Sequence, residues 1–342
     1  MTGMGDRLAG FPARSRWPQT LLRAGISVAI LGWLLWRLDW PHLLEVLRQA
    51  EPQGWFIALV IYGVVQLGLA SYRWRLLGRA LGFHQPWRRY LGLCYEGLFF
   101  SLFLPTSIGG DVVRALRLAD EPRRRLAAGW SVVSDRLSGL VALVGVACVA
   151  SIWQVQLLPV IAQAGLWLLA LGLVVGRFWL PRLARRSERL NNLATALSLS
   201  QAYRRESWSA LGLSLAIQLA SIVQIAYMGR ALGLDLGLGV YAVVVPLVAL
   251  ATMVPVSIGG LGVREGSFVV LLAPYGVPAT TAVALGLSWL AMNVVVGLVG
   301  GLVYLASDAV PAPSDALNEG VGHGRVGHRA DQGRAGELET AA

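Results

Sequence analysis

The sequence predicts an all-α polytopic membrane protein, an inverted-topology repeat with two broken, re-entrant helical hairpins. Three observations lead there. Of 342 residues 56 % are hydrophobic and only 14 % charged, a balance foreign to soluble domains. Apolar runs of about 20 residues recur, each long enough to cross a hydrocarbon core of roughly 30 Å. Finally, the block Pro105–Arg114 returns as Pro255–Arg264 with seven of ten positions identical, both copies carrying Ser-Ile-Gly-Gly. The pentapeptide Gly78-Arg79-Ala80-Leu81-Gly82 precedes the first block by 22 residues, and its exact copy, Gly229 to Gly233, precedes the second by 21. Two matched blocks in register mark an internal duplication, and a duplicated helix break in a membrane protein points to a transporter's binding site.

Residues 1–19 are polar, with Arg7, Arg14 and Arg16, and read as a cytoplasmic N-terminal segment. The first span is Thr20 to Leu38, an uncleaved anchor ending in Trp33, Trp36 and Trp40 at the interface. Gly54 to Tyr72 is the second. The basic and aromatic segment 73–89 is expected to lie on the membrane surface. Residues 90–104 are apolar apart from Glu96 and short for a full crossing; the first Ser-Ile-Gly-Gly block and a helix over Asp111–Leu118 follow. Leu126 to Trp153 is a clear span with Ser131, Asp135 and Arg136 near its start, and Leu157 to Leu180 is the next. After the basic loop 181–206, Ser207 to Met228 crosses again, its Ser214, Gln218 and Ser221 forming a packing seam. Leu236 to Val254 ends in the second block, followed by a short apolar piece, Phe268 to Ala273. Thr280 to Ala306 is the last span, with Trp289, Asn293, Gly297 and Gly301 on one seam, and 307–342 is a Gly- and charge-rich tail expected to be disordered.

Charge bias orients these elements. All 29 basic residues counted as Lys or Arg are Arg, and they cluster in 73–89, 114–125 and 181–206, which places those loops and both termini in the cytoplasm. Both flanking basic stretches fit the cytoplasm if the run 90–118 dips into the membrane, breaks at Pro105–Gly110 and returns, giving six full spans plus two broken hairpins, or eight spans if the hairpin arms reach across. Continuing the count brings the second hairpin in from the opposite face, with repeat halves at about 54–153 and 207–306 inside a domain spanning 20–306.

A helix starting after each glycine pair would aim unpartnered N–H groups at the break, and a nearby Arg would complete an anion site. Ser107, Gly109, Gly110, Asp111 and Arg114, with Ser257, Gly259, Gly260, Arg264 and Glu265, are therefore the expected headgroup-binding residues. Asp111 would hold Arg114, and Glu265 would partner Arg264. Charges at membrane depth cost several kcal/mol unless they are paired or face a cavity. Glu96, Asp135 and Arg136 are thus a possible intramembrane polar site, while Arg117 is expected at the interface. Cys94 and Cys148 lie in apolar runs and read as packing residues, and the four His are scattered, so no metal site and no cofactor is expected. Nothing in the pattern suggests a nucleic-acid partner or a catalytic constellation.

The motifs Pro-x-Ser-Ile-Gly-Gly-Asp-x-x-Arg and Pro-x-Ser-Ile-Gly-Gly-Leu-Gly-x-Arg-Glu resemble the flippase-like family, the lysylphosphatidylglycerol synthase transmembrane-domain family of uncharacterised integral membrane proteins (UPF0104). The resemblance covers roughly residues 20–306 and implies a membrane domain that moves a lipid between leaflets. It does not extend to an aminoacyl-transferase domain, so no enzyme activity is expected from it. The partners it implies are a membrane lipid substrate and a separately encoded lipid-modifying enzyme. A rival reading is a non-transporting membrane partner of such an enzyme or of a glycosyltransferase.

Overall fold

The computed structural model describes residues 40–103, 109–119, 121–153, 160–184, 204–254, 257 and 259–308. The expected first span 20–38, Ser107, most of the basic loop 181–206 and the tail beyond 308 lie outside the described residues. All regular structure described is helical: α1 Trp40–Gln49, α2 Pro52–Ala80, α3 Trp87–Phe103, α4 Gly109–Leu118, α5 Arg125–Trp153, α6 Val160–Ala184, α7 Arg204–Ala231, α8 Leu238–Met253, α9 Val263–Leu272 and α10 Ala279–Asp308. Stretches of α2, α5, α7 and α10 are long and apolar enough to cross a membrane. The main compact unit ends at Tyr304; the second, from Leu305, contains the last turn of α10.

The duplication is visible as local structure. In each half a long helix (α2 or α7) ends in the repeated pentapeptide, a mid-length helix follows (α3 or α8), then a break, a ten-residue helix (α4 or α9), a single 3₁₀ turn and another long helix (α5 or α10). Both pentapeptides close their helix with a Schellman cap. Gly82 and Gly233 take the left-handed conformation at φ 85° and 78°. The N–H of Phe83 reaches the carbonyl of Gly78 at 3.0 Å, and that of Leu234 reaches Gly229 at 2.9 Å. The first glycine of each copy serves close approach instead. A Cβ on Gly78 would stand 2.3 Å from the Tyr90 hydroxyl, and one on Gly229 would stand 2.0 Å from that of Tyr241. Each half then builds its core from corresponding positions: Trp74, Phe83, Tyr90 and Leu93 in one, Ile225, Leu234, Tyr241 and Val244 in the other.

The structure corrects the surface reading of 73–89 at its start, while Arg79, His84, Trp87 and Arg88 are exposed. Helix α2 continues through Arg73 and Trp74, both buried, and ends only at Ala80. A π-helical stretch, Ile61–Gln66, interrupts it. The widened turn leaves Tyr62, Gly63 and Gln66 making polar contacts away from the helix: the Tyr62 hydroxyl donates to Asn293, the Gly63 carbonyl accepts from Tyr95 at 2.7 Å, and the Gln66 amide donates to Gln224 at 2.6 Å.

At the start of α4, beyond the first break, two backbones nearly touch. A Cβ on Gly110 would lie 2.0 Å from the Gly97 carbonyl oxygen, so α4 folds back against α3 only with glycine there. The α10 seam is a packing surface, as its spacing suggests: Cβ atoms on Gly297 and Gly301 would meet Leu102 and Phe99 at 2.6 and 2.7 Å. Cys94 and Cys148 are buried and unpaired.

Candidate functional site

The first half assembles an alternating chain of charges. Asp135 of α5 is 2 % exposed and receives Arg73 Nε on Oδ1 at 2.8 Å and Arg114 Nη2 on Oδ2 at 3.4 Å. Arg114 also donates Nη1 to Asp111 at 3.2 Å, as the i, i+3 spacing suggests. Asp111 in turn accepts both Nε and Nη2 of Arg136, at 2.8 and 2.9 Å, a bidentate grip. Trp74 lies under the Arg114 guanidinium at 4.2 Å and donates its indole N–H to Ser131 at 3.0 Å. Arg73 also donates Nη1 to Ser214 at 2.8 Å, so that serine belongs to the charge network rather than to the packing seam expected of it. Three guanidinium groups face two carboxylates, and Arg114 is held by both acids.

Arg73 is the participant that sequence reasoning missed. In Arg73-Trp74-Arg75 the two arginines look like one basic cluster, but residues two apart on a helix point about 200° apart. Arg73 therefore faces the bundle while Arg75 faces outward. Arg117 has a partner that its place beside the basic loop did not reveal. Its Nε pairs at 3.0 Å with Glu96, which is 1 % exposed, and its guanidinium covers Tyr304 at 4.8 Å. Glu96 is accordingly a partner for an arginine.

The second half is built differently. The break turns through Gly259, Gly260 and Gly262, at φ 61°, 76° and 80°, a run of left-handed backbone that only glycine adopts without strain. Glu265 caps α9: its Oε2 accepts the N–H of Gly262 at 2.7 Å. That capping role replaces the expected ion pair, since no salt bridge joins Glu265 to Arg264 among the described residues. Arg264, 8 % exposed, donates Nη2 to the Gly259 carbonyl at 3.1 Å and lies 5.4 Å from the Trp289 ring. Its Nη1 is buried without a hydrogen-bond partner, as are Ser257 Oγ and Glu265 Oε1 beside the same break.

One register explains the contrast. Asp135 is the eleventh residue of α5 and Trp289 the eleventh of α10. Each half thus directs the arginine after its glycine pair toward the same position of the following long helix. That position carries a carboxylate in the first half and an indole in the second. The residue aligned with Arg73 through the pentapeptide is Gln224, which is also neutral. The first arginine is neutralised twice; the second has an aromatic face and a carbonyl.

The family model described as the lysylphosphatidylglycerol synthase TM region matches residues 20–301. A UPF0104 membrane protein of Methanothermobacter thermautotrophicus is similar at 24 % identity, covering 76 % of this chain and 87 % of the relative. No solved structure matches.

Proposed function

The chain belongs to the lysylphosphatidylglycerol synthase transmembrane-region family, and from that premise we propose that it moves an anionic phospho- or glycolipid between the leaflets of the cytoplasmic membrane. The two breaks enter from opposite faces as an inverted pair, with both termini in the cytoplasm. The observation that carries this reading is the buried, unpaired Nη1 of Arg264 beside the start of α9. A buried guanidinium without a carboxylate is costly, and an anion arriving beside its Nη1 would relieve that cost. Ser257, whose hydroxyl is also without a partner, can donate to the same anion. Arg114, held by two carboxylates, positions α4 rather than gripping the headgroup directly. The gap between a satisfied half and an unsatisfied half gives the lipid's charge one preferred station, and a station that is not too deep is what passage requires.

The test is lipid translocation in reconstituted vesicles carrying a fluorescent anionic lipid, read by quenching from outside. Arg264→Gln is expected to abolish translocation while its melting profile stays close to that of the parent protein. Unchanged translocation would overturn the site. If the parent protein moves no lipid and instead co-purifies with a lipid-modifying enzyme, the non-transporting reading takes its place.

A further inference from the structure

We propose that the outward face of α2 holds a phospholipid of its own, apart from the two breaks and independent of whether lipid is moved. Val64, Val65 and Gly68 form the floor of a groove of about 470 Å³ that continues past Leu69 to Tyr72, Arg75 and Trp87. The groove begins at the π-helical turn, where the widened backbone throws Val64 and Val65 outward; Val64 is 65 % exposed. At Gly68 a Cβ would meet nothing within 4 Å, so this shallow, open groove is free of protein at its middle.

The two ends of the groove differ in chemistry. The Val64 end is wholly apolar. At the other end Arg75 makes no ion pair among the described residues, and its Nε is buried without a hydrogen-bond partner. Its guanidinium lies 5.9 Å from the Tyr72 ring, and Trp87 closes that end, fixed by donating its indole N–H to Ser71 at 2.8 Å. Arg beside Tyr and Trp is the side-chain set of the membrane interface, where phosphates sit. From Val64 to Arg75 the helix rises about 16 Å at 1.5 Å per residue. One leaflet's hydrocarbon is about 15 Å deep, half of a 30 Å core. An acyl chain lying along Gly68 therefore ends at Val64 while its phosphodiester meets Arg75. Charge complementarity and length select the same occupant, a phospholipid with its headgroup on the Arg75 side.

The experiment is native mass spectrometry of the full chain extracted in mild detergent, with phosphatidylglycerol, phosphatidylethanolamine or inorganic phosphate added. Two variants accompany it, Gly68→Trp to fill the groove and Arg75→Gln to remove the phosphate partner. The parent protein is expected to retain a phospholipid that both variants lose, with no adduct from inorganic phosphate. Identical lipid retention in all three proteins overturns the proposal. So does a phosphate adduct that Arg75→Gln removes while lipid retention is unchanged. A third overturning result is a fall in Tm of Gly68→Trp with unaltered lipid, which would mean that the groove holds a protein segment such as residues 20–38. Translocation is measured on the same preparations: loss of bound lipid with Arg264-dependent movement intact separates this site from the one at the second break.

Discussion

Replacing Asp135 by Asn removes one negative charge and almost no volume, and the structure says where the cost falls. Arg114 keeps Asp111 at 3.2 Å, whereas Arg73 keeps only the neutral Ser214. Two unit charges 4 Å apart attract by roughly 4 kcal/mol at an effective dielectric of 20, before desolvation is counted. Stranding a buried charge by deleting its partner costs about 3–5 kcal/mol. Asp135→Asn is therefore expected to destabilise by about that amount. Arg73→Gln leaves Asp135 with Arg114 and should cost less, about 1–3 kcal/mol. It also installs the residue type that the second half already carries at the aligned position, Gln224. The double variant should fall short of the sum by about 1–3 kcal/mol, because with both changes no charge is stranded. An equilibrium unfolding titration in mixed micelles, run on all four proteins, measures the cycle. Costs that add to within about 0.5 kcal/mol would refute the claim that Asp135 neutralises Arg73.

Three further outcomes follow from the same geometry. Trp289→Asp places in the second half the carboxylate that the first half has at the same helix position; it should occupy Arg264 and abolish lipid movement in vesicles, and unimpaired movement would count against a free Arg264 as the headgroup station. Gly229→Ala should destabilise by about 1–3 kcal/mol through overpacking against the Tyr241 hydroxyl. Adding Tyr241→Phe should recover most of that loss in a melt, because this hydroxyl has no hydrogen-bond partner to lose. Gly110→Ala drives a methyl into the Gly97 carbonyl, which cannot rotate away, so monodisperse protein should be lost on size-exclusion chromatography, and a normal profile would mean that α3 and α4 are not in backbone contact.

Much of this molecule was legible because its signals are local and repeated. Apolar run length marked the long helices, and the paired Pro and Gly marked the breaks, since a chain that leaves helical geometry inside a membrane needs residues that tolerate it. The twofold pentapeptide announced a duplication, and its two copies form the same cap, each with a left-handed glycine and a tyrosine crossing above. Asp111 with Arg114 was readable from one turn of helix. Glu265 with Arg264 was not, because adjacent residues on a helix point about 100° apart, and Glu265 had a nearer claim in the Gly262 N–H.

The sequence by itself determined that the chain is a helical membrane protein made of two like halves, each broken at a glycine pair with an arginine just beyond. Hydrophobic length and backbone permissiveness are properties of the residues alone. Only the tertiary structure decided which charges are already neutralised, because that depends on rotation of distant helices about their axes. Turning α2 so that Arg73 faces α5, and setting Asp135 and Trp289 at the same register of their helices, leaves Arg114 doubly paired and Arg264 without a carboxylate. The two motifs share seven of ten residues, yet their surroundings pair one arginine with two carboxylates and leave the other's Nη1 without a hydrogen-bond partner.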